Sequence, residues 1–403
     1  MFLLDRFLDY VKYDTMSDPF SETAPSTDKQ MILGNAIVRD MKSIGISDAR
    51  MSTKGVVYGS IPATTGYEDE PCIGLIAHMD TSPDITGKDV KPRIIENYNG
   101  SDILFDKYND PLSPKRFPDL TKHVGKTLIV TDGSTLLGAD NKAGIAEILD
   151  ASRQIIEEGT AHGRIAIGFT PDEEIGRGVD NFDLSEFKAD YAYTLDGGEL
   201  DFIEYECFNA ASLKVTVNGF NIHPGVAKNQ MKNASLIAFE YDRMLPEAQR
   251  PQYTEGYEGF FHLSGVEGDE EKAVLRYILR DHDKDKFQVK KQLAKEICEF
   301  LNNKYGEYSV CVELEDSYYN MAEMITPHMH IIERAKEAMK KSGINPREKA
   351  IRGGTDGARL SYLGLPCPNL PTGGYNYHGR FEYIPLEDMQ KAVEIIINII
   401  RTN

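Results

Sequence analysis

The chain has 403 residues, 41% hydrophobic and 27% charged, the values of an ordinary globular protein with room for two domains and a large core. A formal net charge of −19 argues against nucleic acid and against an anionic membrane surface as partners. The five cysteines (Cys72, Cys207, Cys298, Cys311, Cys367) are scattered and never form a Cys-x-x-Cys pair, which argues against a disulfide framework or a cysteine-based zinc site and suits a reducing cytoplasm.

Asp5 and Arg6 interrupt the N-terminal apolar run, so it does not read as a signal peptide. The longest apolar stretch, at 395–400, is far short of the roughly 20 residues of a membrane span. Phe2, Leu3, Phe7, Leu8 and Val11 form a helical stripe. A second helix is predicted from Asp28 as N-cap through Ile37 and Met41 to Gly45. Strands follow over 56–61 and 72–77.

The second strand ends in His78-Met79-Asp80. Residues i and i+2 on a strand face the same side, so His78 and Asp80 point together. A metal-bound imidazole usually gives its other N–H to a carboxylate, and His-x-Asp can supply that pair; a plain His–Asp hydrogen bond is the alternative. Residues 81–127, with five prolines (Pro83, Pro92, Pro111, Pro114, Pro118), read as a small excursion with short strands over the sheet edge that helps wall a cleft. A short strand at 128–130 precedes Gly138-Ala139-Asp140-Asn141-Lys142-Ala143-Gly144, which runs into a helix. Asp140 can be that helix's cap, or a carboxylate shared between two metals.

A buried strand at 164–169 opens into Thr170-Pro171-Asp172-Glu173-Glu174. Three consecutive acids there either splay into water or surround a cation. The strand at 191–195 ends in Asp196-Gly197-Gly198. From 208 the texture changes to a strand at 211–217, a helix at 232–245, strands at 257–266 and 273–281, a helix at 285–303 and a strand at 309–314. This β-α-β-β-α-β order is that of a ferredoxin-like sandwich, inserted between two halves of the first domain. A helix from Thr326 to Gly343, the loop Arg352-Gly353-Gly354-Thr355-Asp356-Gly357, Tyr377-His378-Gly379 and a last helix at 385–400 return to the first texture.

Strands alternating with helices describe an α/β sheet, whose ligands bind outside the carboxyl ends of the strands. His78, Asp80, Asp140, Glu173, Glu174 and Asp196 all fall at predicted strand ends or in the loops after them. A mixed His/Asp/Glu set with more carboxylates than histidines suits two zinc, cobalt or manganese ions sharing a bridge, with a remaining carboxylate as general base. No Gly-x-Ser-x-Gly elbow occurs, nor a Gly-x-Gly-x-x-Gly loop between a strand and a helix, so a serine nucleophile and a dinucleotide site have little support.

The motifs around His78, Asp140, Glu173-Glu174, Asp196 and His378, together with Asn221-Ile222-His223-Pro224-Gly225, resemble in order and spacing the co-catalytic zinc metallopeptidase family that includes glutamate carboxypeptidase, succinyl-diaminopimelate desuccinylase and the aminotripeptidases, over essentially the whole chain. The resemblance is closest to the aminotripeptidases. It implies two Zn2+ per subunit, with Co2+ or Mn2+ as alternatives. His78 and Asp196 would ligate one ion, Glu174 and His378 the other, and Asp140 would bridge them. Asp80 would back His78, and Glu173 would be the base that activates a metal-bridging water. The implied fold is an α/β catalytic domain (1–207 and 321–403) with a mixed, mostly parallel sheet between helices, and an inserted ferredoxin-like α+β lid (208–320) through which a homodimer can form. In the lid, the resemblance implies that His223 stabilises an oxyanion, often in the partner subunit, the alternative being a plain His-Pro-Gly turn residue. Arg280, at the end of a predicted lid strand, either pairs with a substrate carboxylate or is an ordinary surface arginine, and Arg352 either contacts the peptide or braces its loop. His123, His162, His262, His282, His328 and His330 match no motif and read as structural or solvated. The expected activity is removal of the N-terminal residue from tripeptides in the cytoplasm, with a dipeptidase, a carboxypeptidase or an N-acyl amino acid deacylase as alternatives. The expected partner is a small peptide.

Overall fold

The computed structural model of the protein describes residues 1–401. The chain forms two compact units. One comprises Met1–Tyr205, Glu323–Lys349 and the chain from Thr355 onward; the other comprises Glu206–Ala322 and Ala350–Gly354.

The first unit is built on an eight-stranded sheet in the order Arg50–Met51, Val57–Ile61, Ile165–Thr170, Ile73–His78, Tyr191–Gly197, Asn369–Pro371, Phe202–Cys207, Arg347–Ile351. Its centre is parallel: Ile73–His78 runs alongside both Ile165–Thr170 and Tyr191–Gly197. Ile73–His78 and Ile165–Thr170 are buried at every position and apolar up to their last residue, as strands covered on both faces require. Because they are parallel, their carboxyl ends, carrying His78, the acids after Thr170, and Asp196, emerge at one edge.

The helix Ala139–Glu158 packs against the strands ending in His78 and Asp196, and the C-terminal helix Leu386–Ile400 packs against that helix. Gly144 lets helix and strand touch backbone to backbone: a Cβ there would lie 2.3 Å from the Leu195 carbonyl oxygen. This closeness brings the turn at Asp140 beside Asp196.

Two features of the sheets lie beyond what the sequence reading specified. The strand Leu128–Val130 does not join the central sheet. It lies between Tyr383–Pro385 and Arg93–Ile95 in a separate antiparallel sheet. Residues of the 81–127 excursion close beneath it around Tyr98, Ile103, Phe105, Leu112 and Leu120, a small core of their own. Three strands, Phe202–Cys207, Arg347–Ile351 and Asn369–Pro371, also extend the main sheet without a legible signal. The first two are rich in charge and the third is three residues long, so neither apolar alternation nor length marks them.

The second unit is a four-stranded antiparallel sheet in the order Phe260–Gly268, Lys272–Asp281, Asn209–Asn218, Val310–Tyr318. Helices Ala234–Met244 and Lys284–Tyr305 cover one face over a core that includes Leu213, Val215, Ile237, Leu275, Phe287 and Leu301. The connectivity is β-α-β-β-α-β, as the sequence predicts. Asn233 and Asp283 start the two helices, accepting from the amides of Leu236 and Lys286. Among the described residues no helix is long and apolar enough to cross a membrane.

Candidate active site

His78 is the last residue of its buried strand. Its Nδ1 lies 3.1 Å from the Asp80 carbonyl oxygen and 3.3 Å from Asp80 Oδ1. That leaves Nε2 facing Asp140 Oδ1 at 2.9 Å, Asp196 Oδ1 at 3.4 Å and Glu173 Oε2 at 4.0 Å. Asp80 also fixes the acidic turn, since its two oxygens accept the amides of Glu173 (2.9 Å) and Glu174 (3.1 Å). One buried carboxylate therefore orients both the imidazole and the backbone from which the two glutamates project.

His378 stands at φ 61° in the loop before Tyr383. Its Nε2 meets Glu174 Oε2 at 2.9 Å and Asp140 Oδ2 at 3.2 Å, and its Nδ1 lies 3.3 Å from Asp84 Oδ2. Asp140 thus offers one oxygen to each imidazole. Its side-chain oxygens are taken up by the two imidazoles rather than by an amide of the helix, so the capping alternative does not apply.

Asp172, the third acid, takes no part in this cluster. It sits at φ 60° and accepts from Ser26 N (2.6 Å), Ser26 Oγ (2.5 Å) and Gln30 Nε2 (2.6 Å). It pins the turn to Ser26, just before the second helix, and to Gln30 in that helix's first turn.

The cluster holds too much negative charge for its two imidazoles. Burial, then the charge of Asp196, pushes the Glu173 carboxyl well above the usual carboxylate range. Burial and Asp140 push Glu174 up to about 8, and burial raises Asp196 as well. Burial opposes a charge on His78, yet Asp196, Asp140 and Asp80 around it hold its imidazole well above the ordinary value. Hydrogen bonds to Asp140 and Glu174 raise His378 to about 11. Burial alone would raise Asp140, but the two imidazoles hold it below its ordinary value.

The residues fit divalent metal on three counts. Two sets of donor atoms, His78/Glu173/Asp196 and His78/Asp140/Glu174, each lie within 4.8 Å of one another. Tetrahedral bonds of about 2.0–2.1 Å place ligand atoms roughly 3.3 Å apart, and the separations around Asp140 run from 2.9 to 3.4 Å. Glu174 Oε1 is buried with no hydrogen-bond partner, which is costly for a carboxylate unless a cation faces it.

A model of peptidase family M20/M25/M40 matches residues 132–402. Peptidase T of Alkaliphilus oremlandii (strain OhILAs) is 54% identical over 401 residues, covering 99% of this chain and 98% of that protein. The chain belongs to peptidase family M20/M25/M40. Two solved structures share its fold. The aminopeptidase PepT of Bacillus cereus ATCC 10987 is 24% identical with a TM-score of 0.77, and a tripeptidase of Staphylococcus aureus subsp. aureus Mu50 is 21% identical with a TM-score of 0.79. Each match covers 99% of this chain and 97% of the other.

In this M20/M25/M40 chain the first unit brings together His78, Asp80, Asp140, Glu173, Glu174, Asp196 and His378. His223, Arg280 and Arg352 belong to the second unit. His223 is exposed, and its Nδ1 accepts the Gly225 amide at 3.1 Å. Arg280 lies over the Tyr318 ring, 5.2 Å from its centroid. Arg352 donates to the carbonyls of Gly256 (2.6 Å) and Glu258 (2.9 Å) and to Thr254 Oγ1 (3.0 Å), so it braces the 254–258 loop. Of the unmatched histidines, His123, His162 and His282 are buried. His123 packs edge-on against Tyr375 and His282 meets the Ile351 carbonyl at 3.0 Å.

Sequence reasoning missed the roles of three buried polar residues around the cluster and of one half-buried tyrosine. Asp356 accepts the Thr170 hydroxyl at 2.6 Å. Lys142 is fully buried and donates to the Tyr13 carbonyl at 2.7 Å. The Tyr377 hydroxyl bonds the Gly197 carbonyl at 3.1 Å. Glu382 accepts three backbone amides around Asp140. Only Lys142 carried a signal, as a lone cation within a run of small residues.

Proposed function

We propose that the chain is a dinuclear metallopeptidase that removes the N-terminal residue from tripeptides. The observation that carries the chemistry is the placement of Asp140 between two imidazoles, with Glu174 2.9 Å from His378 and Glu173 4.0 Å from His78. The substrate class rests on 54% identity to a peptidase T over 99% of the chain. His78 and Asp196 would hold one ion, Glu174 and His378 the other, with Asp140 common to both; zinc is the proposed ion, with cobalt or manganese as substitutes. Such ions supply Lewis acidity to the scissile carbonyl and acidify the attacking water.

The protein's own part is proton transfer and orientation. Glu173 takes a proton from the attacking water and passes it to the departing amine. Asp80 holds His78 by its Nδ1 side and, through the two amides it accepts, fixes where the Glu173 carboxylate stands. His223 is proposed to donate to the developing oxyanion. Arg280 and Arg352 are proposed to meet the peptide's carboxylate, Arg352 while still bracing its loop. The unit that carries these three residues is proposed as a lid and as a homodimer contact, and the enzyme as cytoplasmic.

The test has two parts. Glu173→Gln is expected to keep both ions, measured by elemental analysis, and to lose about 10²–10⁴-fold in kcat. Wild-type turnover in that variant would remove Glu173 from its assigned role. A panel of tripeptides, dipeptides and N-acyl amino acids is expected to show hydrolysis of free tripeptides and little of the rest. Preference for acylated amino acids would move the chain to the deacylase alternative.

A further inference from the structure

Glu382 lies four residues beyond His378 and is 1% exposed. Its carboxylate is taken up by the backbone of the turn that carries Asp140. The amides of Leu137 (2.7 Å) and Gly138 (2.9 Å) donate to Oε2, and the amide of Asp140 (3.0 Å) donates to Oε1. Converging backbone N–H groups make a concave anion site, and here the anion is a side chain of the same protein. Charge-assisted bonds of this kind are the strong ones, and three on one carboxylate leave it little freedom.

The other end of the connection is equally constrained. Tyr375 and Tyr383 exchange backbone hydrogen bonds (2.9 and 3.1 Å), and Asn376 Nδ2 donates to the Phe381 carbonyl (3.1 Å). These contacts close residues 375–383 into a loop with His378 near its tip and Glu382 at its base. The same loop reaches the Asp196 turn, through the Tyr377 hydroxyl on the Gly197 carbonyl. The Glu382 side chain is therefore a direct tie between the segment bearing His378 and the segment bearing Asp140, whose facing atoms are 3.2 Å apart.

We propose that Glu382 is a positioning residue that sets the spacing between Asp140 and His378, and with it the affinity for the ion these two share. The proposal rests on the metal-centre reading above. It assigns Glu382 no contact with substrate.

The experiment compares wild-type and Glu382→Gln proteins stripped of metal, then titrated with Zn2+ against a chromophoric chelator. Visible spectra of the Co2+-loaded proteins are recorded alongside. Glutamine keeps the volume and one acceptor but turns an NH2 group toward a backbone donor. The expected result is a native circular dichroism spectrum, Zn2+ affinity at one site weakened about 10–100-fold, and an altered Co2+ absorption band. A purely structural residue would leave that band unchanged in the folded protein. If wild type binds two ions and Glu382→Gln binds both with unchanged affinity and spectrum, the positioning role is overturned alone. If wild type binds no ion, the metal-centre reading falls and the proposal falls with it. Should Glu382→Gln not fold, Glu382→Asp repeats the test: the charge is kept but the shorter side chain cannot span three amides, so the same weakening is expected, and wild-type affinity there overturns the proposal.

Discussion

Asp172 offers the sharpest test of how the acidic turn is held. Its side chain is buried, and its two oxygens satisfy three donors: Ser26 Oγ and Gln30 Nε2 on Oδ1, and Ser26 N on Oδ2. Asparagine has nearly the same shape and tolerates the left-handed backbone at this position, so Asp172→Asn isolates the hydrogen bonds from strain. In its best orientation the asparagine oxygen takes the Oδ1 place and its NH2 faces the Ser26 amide. One charge-assisted bond is lost, and hydrogen bonds to charged groups are worth about 1.5–3 kcal/mol. In a unit of this size 1 kcal/mol moves Tm by about 2–4 °C, so a loss of about 2 kcal/mol lowers it by about 4–8 °C. Asp172→Ala removes all three bonds and leaves a non-glycine residue without local support at positive φ, so it is expected to be worse by at least about 2 kcal/mol more. Differential scanning calorimetry on metal-stripped protein measures both without interference from ion binding. An asparagine variant melting within about 1 °C of wild type, or an alanine variant no worse than the asparagine one, would refute the argument that these bonds hold the turn.

The remaining predictions concern the ions, the helix contact and the lid. Adding Zn2+ to stripped protein at about a hundredfold above its Kd is expected to stabilise by about 2.7 kcal/mol, a rise of roughly 5–10 °C in a thermal shift assay; no rise would count against the cradle. Gly144→Ala forces a Cβ to 2.3 Å from the Leu195 carbonyl oxygen and 2.5 Å from Asn141 Oδ1. Overpacking of this kind costs about 1–3 kcal/mol, read as a lower urea midpoint, and an unchanged midpoint would mean helix and strand are not in firm contact. His223→Ala is expected to lower kcat about 10²–10³-fold, the scale of a lost oxyanion donor, with Zn2+ stoichiometry intact. A loss of bound metal, or no loss of rate, would remove that role.

The parallel strands ending near His78, Glu174 and Asp196 were legible because strands buried on both faces read as continuous apolar runs. Six of the seven clustered residues were legible for a related reason: charged groups at the ends of apolar runs, or in the loops after them, stand out against their neighbours, whereas His378 follows no such run and was marked only by the family resemblance. The ferredoxin-like order of the second unit followed from periodicity that switches cleanly between strand and helix.

What only the tertiary structure decided lies in contacts between segments distant in sequence. Nothing local in Arg380-Phe381-Glu382-Tyr383 says that its carboxylate will be received by amides more than 240 residues earlier. Asp172 and its partner Ser26 are likewise 146 residues apart. The sheet membership of Leu128–Val130 depends on Arg93–Ile95 and Tyr383–Pro385 reaching it, and its own three apolar residues fit either sheet. Sequence pattern thus determined which residues could do the chemistry, because burial and charge are properties of single positions and their near neighbours. Folding decided how they are aimed, because a buried carboxylate takes its direction from whichever donors the rest of the chain brings to it.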